Sequence, residues 1–155
     1  MSNNKVRLGI IGIGNMGSSH LYAYTSGQLP EVEVTAVADI NPDRLEFAKD
    51  EHESVLTFNT ADELIESGAV DAVLIATPHY YHPPIAIKAM KAGLHVMCEK
   101  PAGVYTKQVR LMNETAAQCD VVFGIMYNQR TNCLYRKARE LVQGGEFGAF
   151  KRMNW

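Results

Sequence analysis

"VRLGIIGIGNMG", residues 6–17, is the stretch on which the fold turns. Its first half is an almost unbroken apolar run, which reads as a strand covered on both faces. Its second half sets Gly12, Gly14 and Gly17 in the G-x-G-x-x-G spacing where that strand passes into a helix. Gly12 permits the tight turn, Gly14 lets an anionic group approach the backbone, and Gly17 allows helix and strand to pack closely. The free N–H groups near Asn15 and Met16, helped by the helix dipole, would hold that anion. By itself the triplet also suits a plain structural turn or another nucleotide-like ligand. The second strand, "VEVTAVAD" from Val32, favours a dinucleotide, because it ends in Asp39, 22 positions beyond Gly17. About 20 is the spacing expected of the acid that bonds the adenosine ribose. S-adenosylmethionine, held by a methyltransferase through a similar loop and acid, is the alternative. A carboxylate at Asp39 repels a 2′-phosphate and favours NAD; Arg44 could accommodate that phosphate, or simply belong to a solvated helix face, so NADP stays open.

Outward from this unit, short apolar runs alternate with helical patterns, the signature of an α/β chain. Further strands are "VLTF" from Val55, "DAVLIAT" from Asp71, "HVMCE" from His95 and "VVFGIMY" from Val121. Asn41-Pro42 opens one helix as N-cap and first-turn proline, and Thr60 with Glu63 forms a capping box. Gly27, Gly68, Gly93 and Gly144 mark helix ends. The segments Pro84 to Ala92 and Thr106 to Gln118 should bury the stripes Ile85/Ala89/Ala92 and Val109/Met112/Ala116. Six strands with right-handed crossovers predict a doubly wound parallel sheet in the order 3-2-1-4-5-6, with its ligand outside the carboxyl ends of the strands.

Composition excludes several functions. With 155 residues, 46% of them hydrophobic, the chain is long enough for one sizeable core. Fifteen basic and 17 acidic residues are mixed along the chain to a net charge of −2, leaving no basic stripe for nucleic acid. No apolar run approaches the roughly 20 residues of a membrane span, and the start "MSNNKVR" is expected to lead directly into a strand and not to act as a signal peptide. Cys98, Cys119 and Cys133 are odd in number and widely spaced, which points to reduced thiols, read here as packing residues, in a cytoplasmic protein.

The fourth strand ends in "ATPHYYHPP". Thr77-Pro78 breaks the ladder and leaves the Thr77 hydroxyl for the nucleotide. His79 and His82 have no third ligand nearby, so no metal site is expected. His82 can touch the cofactor or anchor the helix that follows. His20, His52 and His95 read as packed or surface residues. At the end of the fifth strand, Glu99 and Lys100 fall beside the nicotinamide position. Glu99 could bond the nicotinamide ribose and Lys100 could face a substrate hydroxyl; a silent surface ion pair is the plainer reading.

The set "GIGNMGSSH", "VADINPDR", "TPHYYH", "AMKAGLHVMCEKPAG" and "YNQR" resembles the amino-terminal, NAD-binding domain of the Gfo/Idh/MocA family (glucose-fructose oxidoreductase, inositol dehydrogenase) along nearly the whole chain. The Glu-Lys-Pro triplet is its most specific piece. The resemblance implies that Glu99 holds the nicotinamide ribose, that Lys100 is catalytic, and that Asn128 and Arg130 line the cofactor and substrate cleft; Arg130 could instead cap the next helix. Pro78 joins the cofactor set through its turn. It further implies a dehydrogenase acting on a secondary hydroxyl of a sugar, polyol or related small molecule, homo-oligomeric when full length. An NAD-dependent glycosidase or lyase using transient oxidation, and a non-catalytic dinucleotide sensor, are the alternatives. Family members continue into an α+β substrate domain that supplies a catalytic histidine. Here residues 1–145 are expected to form the Rossmann domain, and 146–155 the first strand of that second domain, with Ala149, Met153 and Trp155 alternating. Without the remainder, the 155 residues should be inactive.

Overall fold

The computed structural model describes residues 5–27, 29–149 and 151–152. In chain order the elements are β1 (Val6–Ile11), α1 (Asn15–Thr25), β2 (Val32–Ala38), α2 (Pro42–Glu51), β3 (Leu56–Phe58), α3 (Ala61–Glu66), β4 (Ala72–Ile75), α4 (His82–Lys91), β5 (His95–Glu99), α5 (Thr106–Gln118), β6 (Phe123–Met126) and α6 (Cys133–Gln143). All strand pairs are parallel, in the order β3-β2-β1-β4-β5-β6, which is the doubly wound sheet the sequence predicts.

Two apolar clusters sandwich this sheet, because successive strand side chains point to opposite faces. Ile10 joins Leu21, Val37 and Leu45 on the face covered by α1 and α2. Ile11 joins Ile65, Ala89 and Met112 on the face covered by α3, α4 and α5. Met112, fully buried, would cost about 2–5 kcal/mol if cut to alanine.

Local signals place the helix ends. The Asn41 side chain accepts from Asp43 N at 2.9 Å, with Pro42 at the first helical position. Thr60 Oγ1 accepts from Glu63 N at 3.1 Å, while Glu63 reaches back to Asn59 N, one residue before the usual capping-box partner. Gly27, Gly68 and Gly93 have positive φ, as chain reversals require, but at the end of α6 the left-handed residue is Gly145, not Gly144.

Other expectations need correction. α4 starts at His82 and buries His82, Pro83, Ala86, Ala89 and Met90; Ala92 is exposed and Ile85 only half-buried. The face is rotated because α4 packs against α5 as well as the sheet. The cysteines do not share one environment. Cys98 is buried, and burial with the nearby Glu99 charge pushes its thiol up to about 12, whereas Cys119 is half-buried and Cys133 lies exposed on α6. No residue of α6 is buried. Residues 146–149 and 151–152 form turns and irregular chain; Met153 and Trp155 of the expected final strand lie outside the described residues.

Candidate functional site

Register places the site. Ile11 pairs with Ala38 and Ile75, and Ile75 pairs with Cys98. The residues that follow, Gly12, Asp39, Ala76 and Glu99, therefore share one row along the carboxyl edge of the sheet. A cleft of about 690 Å³ opens over this edge, between the glycine loop, the end of β2 and the turn after β4.

Each loop glycine has its own steric reason. Gly12 has φ +92°, and a Cβ there would come within 2.9 Å of the Ala76–Thr77 backbone. A Cβ on Gly17 would overlap the carbonyl oxygen of Gly12. Gly14 lines the cleft, and a Cβ on it would meet only Arg44 Nη1, at 3.8 Å. Helix α1 starts from Gly14 with no side-chain cap and no acidic residue in its first turn, so its N–H groups stay available to an anion. Asn15 and Met16, in that turn, line the cleft too.

Asp39 is 7% exposed, and its carboxylate is already bonded. It accepts from Ile13 N at 2.7 Å, Asn41 N at 2.9 Å and Arg44 Nη1 at 3.3 Å. A carboxylate has about four acceptor directions. Most of Asp39 is thus spent tying the end of β2 to the glycine loop, leaving room for one further donor. Arg44, with a half-exposed side chain, lies over Asp39 at the edge of the cleft.

Thr77 and Pro78 line the opposite wall with Tyr81, which sequence reading did not single out, and Ile85, which it placed in the buried stripe of a helix and not at the site. The Thr77 hydroxyl is buried and has no hydrogen-bond partner among the described residues. Such a group costs free energy unless a ligand or water satisfies it. The orphaned hydroxyl, the uncapped helix and the open face of Gly14 together fit a phosphorylated nucleotide.

His82 lies behind this wall. It is fully buried, with Nε2 2.7 Å from the Thr77 carbonyl and Nδ1 2.8 Å from that of Pro101. Its ring ties the turn after β4 to the turn after β5, as the anchoring alternative describes, and like Glu99, Lys100 and Asn128 it is not among the residues lining the cleft. His79, in a short turn of 3-10 helix, is exposed beside it.

At the end of β5, one strand beyond β4, Glu99 is 5% exposed. Oε1 lies 2.8 Å from His20 Nε2, and Oε2 accepts from Lys100 N at 3.0 Å. The opposed pair of the sequence is therefore not an ion pair: Glu99 bonds the backbone of Lys100, whose exposed ammonium has no partner among the described residues. His20 is no bystander either. It sits three residues past Gly17, on the same helical face, a spacing from which its approach to the strand ends could have been suspected. Asn128 and Arg130 occupy an exposed 3-10 turn after β6, with Arg130 stacked on the Tyr127 ring at 5.4 Å. The N-cap of α6 is Asn132, which removes the capping role considered for Arg130.

Comparison with known proteins agrees with this architecture. Residues 6–127 match the family described as "Oxidoreductase family, NAD-binding Rossmann fold". The rhizopine catabolism protein MocA of Rhizobium meliloti is 36% identical over 145 residues, which are 93% of this chain and 44% of that protein. Myo-inositol 2-dehydrogenase of Thermotoga maritima is 32% identical over 92% of this chain and 42% of its own length. Among solved structures, scyllo-inositol dehydrogenase from Lactobacillus casei with bound NAD(H) and scyllo-inositol superposes with a TM-score of 0.89 at 27% identity, over 94% of this chain and 43% of that one. The chain thus spans less than half the length of these relatives.

Proposed function

Because the chain belongs to the Gfo/Idh/MocA oxidoreductase family, with its NAD-binding Rossmann fold, we propose that it is the cofactor-binding part of a dehydrogenase that oxidises a secondary hydroxyl of a polyol or sugar. The observation that carries this reading is the cleft beside the uncapped start of α1, where the buried Thr77 hydroxyl lacks a partner. NAD, when bound, supplies the acceptor for a hydride from the substrate carbon. The residues of this chain do the rest. The N–H groups of Asn15 and Met16 hold the pyrophosphate at Gly14, Thr77 donates to the nucleotide, and the remaining acceptor direction of Asp39 takes an adenosine ribose hydroxyl. Glu99 orients the nicotinamide ribose. Lys100, whose ammonium has no partner among the described residues, holds the substrate oxygen and stabilises the negative charge that forms there when the hydroxyl proton passes to a base of the second domain, a charge that is spent in forming the carbonyl as the hydride leaves for NAD. Asn128 and Arg130 flank the same end of the cleft.

Relatives named as inositol dehydrogenases support a polyol or sugar substrate. Three unpaired thiols suit a reducing cytoplasmic setting, and the exposed apolar residues Leu134 and Val142 of α6 suit burial against another domain or subunit in a homo-oligomer.

The test has two arms. Calorimetry on the 155-residue chain should show NAD binding, with NADP weaker because of Asp39, and no NADH should form when polyols are added. In the full-length protein, inositols or sugars should give net NADH, and Lys100→Met should lower kcat by about 10²-fold or more with NAD affinity nearly unchanged. Wild-type kcat in that variant would remove Lys100 from the chemistry. Failure of the chain to bind NAD would overturn the proposal.

A further inference from the structure

We infer that His20 is a positioning residue: by holding Glu99 it fixes the nicotinamide end of the site relative to the helix that binds the pyrophosphate. The inference rests on the dehydrogenase reading above. It begins from a contact between residues 79 positions apart, His20 Nε2 to Glu99 Oε1 at 2.8 Å. Both side chains are largely out of water, 16% and 7% exposed. A carboxylate buried to that degree needs donors, and Glu99 has two: the His20 ring and the N–H of Lys100. The second belongs to the adjacent residue and moves with it. Among the described residues, only His20 relates the carboxylate to anything beyond its own strand and the residue next to it.

What it relates Glu99 to is informative. His20 stands on α1, three residues beyond Gly17, in the helix whose first turn faces the cleft. A dinucleotide must satisfy that first turn with its pyrophosphate and the end of β5 with its nicotinamide ribose. Its span between these points is fixed, so their separation has to be fixed as well. The two points belong to elements separated in the sheet by β4, and the His20–Glu99 contact is a direct brace between them. Two donors leave Glu99 about two acceptor directions for the ribose hydroxyls. Without His20, a nearly buried carboxylate would lose the one side-chain donor it has among the described residues and turn toward water, taking those acceptors out of register.

A merely structural histidine would affect every ligand of the cleft, whereas a brace at the nicotinamide end should affect only ligands that reach it. ADP fills the adenosine and phosphate positions and stops short; NAD continues to Glu99. In the full-length protein, His20→Ala should weaken NAD about tenfold in calorimetric titration, the scale of one hydrogen bond to a charged group, with ADP affinity unchanged. His20→Gln, which keeps an N–H near the Nε2 position, should restore NAD affinity to within about twofold of wild type. Adding Glu99→Ala to His20→Ala should cost less than Glu99→Ala costs alone, because without His20 the Glu99 acceptors are already out of register. Equal losses of NAD and ADP, or NAD binding unaffected by His20→Ala, would overturn the inference. If His20→Ala does not fold, Glu99→Ala and His20→Gln decide the matter: a selective loss of NAD in Glu99→Ala together with near-normal NAD binding in His20→Gln supports the brace, and normal NAD binding by Glu99→Ala or weakened NAD binding by His20→Gln overturns it. If the wild-type protein binds ADP but not NAD, the dehydrogenase reading itself has failed, whatever the variants do.

Discussion

The two ends of the site are built differently. At the adenosine end, Asp39 is buried under three donors, Gly12 is packed against the Ala76–Thr77 backbone, and Tyr81 and Ile85 add an apolar wall. At the end of β5, outside the residues that line the cleft, Glu99 is held by two donors, but Lys100, Asn128 and Arg130 are all exposed, and the chain beyond Arg130 leads into a helix with no buried residue. One part is lined by several segments of this chain, and the other stands exposed. On the proposed function, cofactor affinity comes from the lined part, while turnover needs further structure opposite Lys100.

The largest expected effect breaks the lined end. Gly17→Val puts a side chain where the Gly12 carbonyl already lies, so helix and loop must move apart. NAD affinity of the chain should fall by about 10²-fold or more, read by calorimetry. Near-normal binding would show that the loop is not rigidly packed and that the two ends differ less than described.

An intermediate effect comes from the residue that joins both ends. His82→Ala removes the fully buried ring that bridges the Thr77 and Pro101 carbonyls. Losing its N–H donor and leaving a cavity should cost about 2–4 kcal/mol and lower the melting temperature by about 5–10 °C, seen in a thermal scan without ligand. A shift under about 2 °C would mean that the turns after β4 and β5 hold their places independently.

The smallest effect serves as a control at the opposite, amino-terminal edge of the sheet. Arg7 bonds Asp71 through both carboxylate oxygens, and this pairing holds the Asp71 carboxyl below its ordinary range. A carboxyl lowered in the folded state adds stability above its unfolded value, near pH 4, and loses it as pH falls through the folded value. Asp71→Asn should therefore melt slightly below wild type at neutral pH and converge with it in acid. Both groups are well exposed, so screening keeps the difference small. Any change in NAD affinity in this variant would contradict the independence of the two sheet edges.

Much of this was legible in one dimension. The six strands and their order, the caps at Asn41 and Thr60, and the glycine loop all follow from signals contained within a few residues of chain. Asp39 was legible by its distance from the loop, although its first task in the structure, tying Ile13 and Asn41 in place, was not. The misreadings share a cause. The buried face of α4 depends on α5 as well as the sheet, and His20 and His82 look ordinary until their partners are known.

Steric needs of single residues and the periodicity of apolar side chains act over one turn or one strand, and so the sequence by itself determined the elements, the sheet and the edge at which a ligand sits. Contacts between distant segments depend on strand order and register, which bring together groups no local pattern connects. Only the tertiary structure could decide that Glu99 faces His20 instead of the Lys100 ammonium, and that His82 spends both ring nitrogens on two carbonyls. A buried polar group must find a partner wherever the fold supplies one, and that requirement is met in three dimensions.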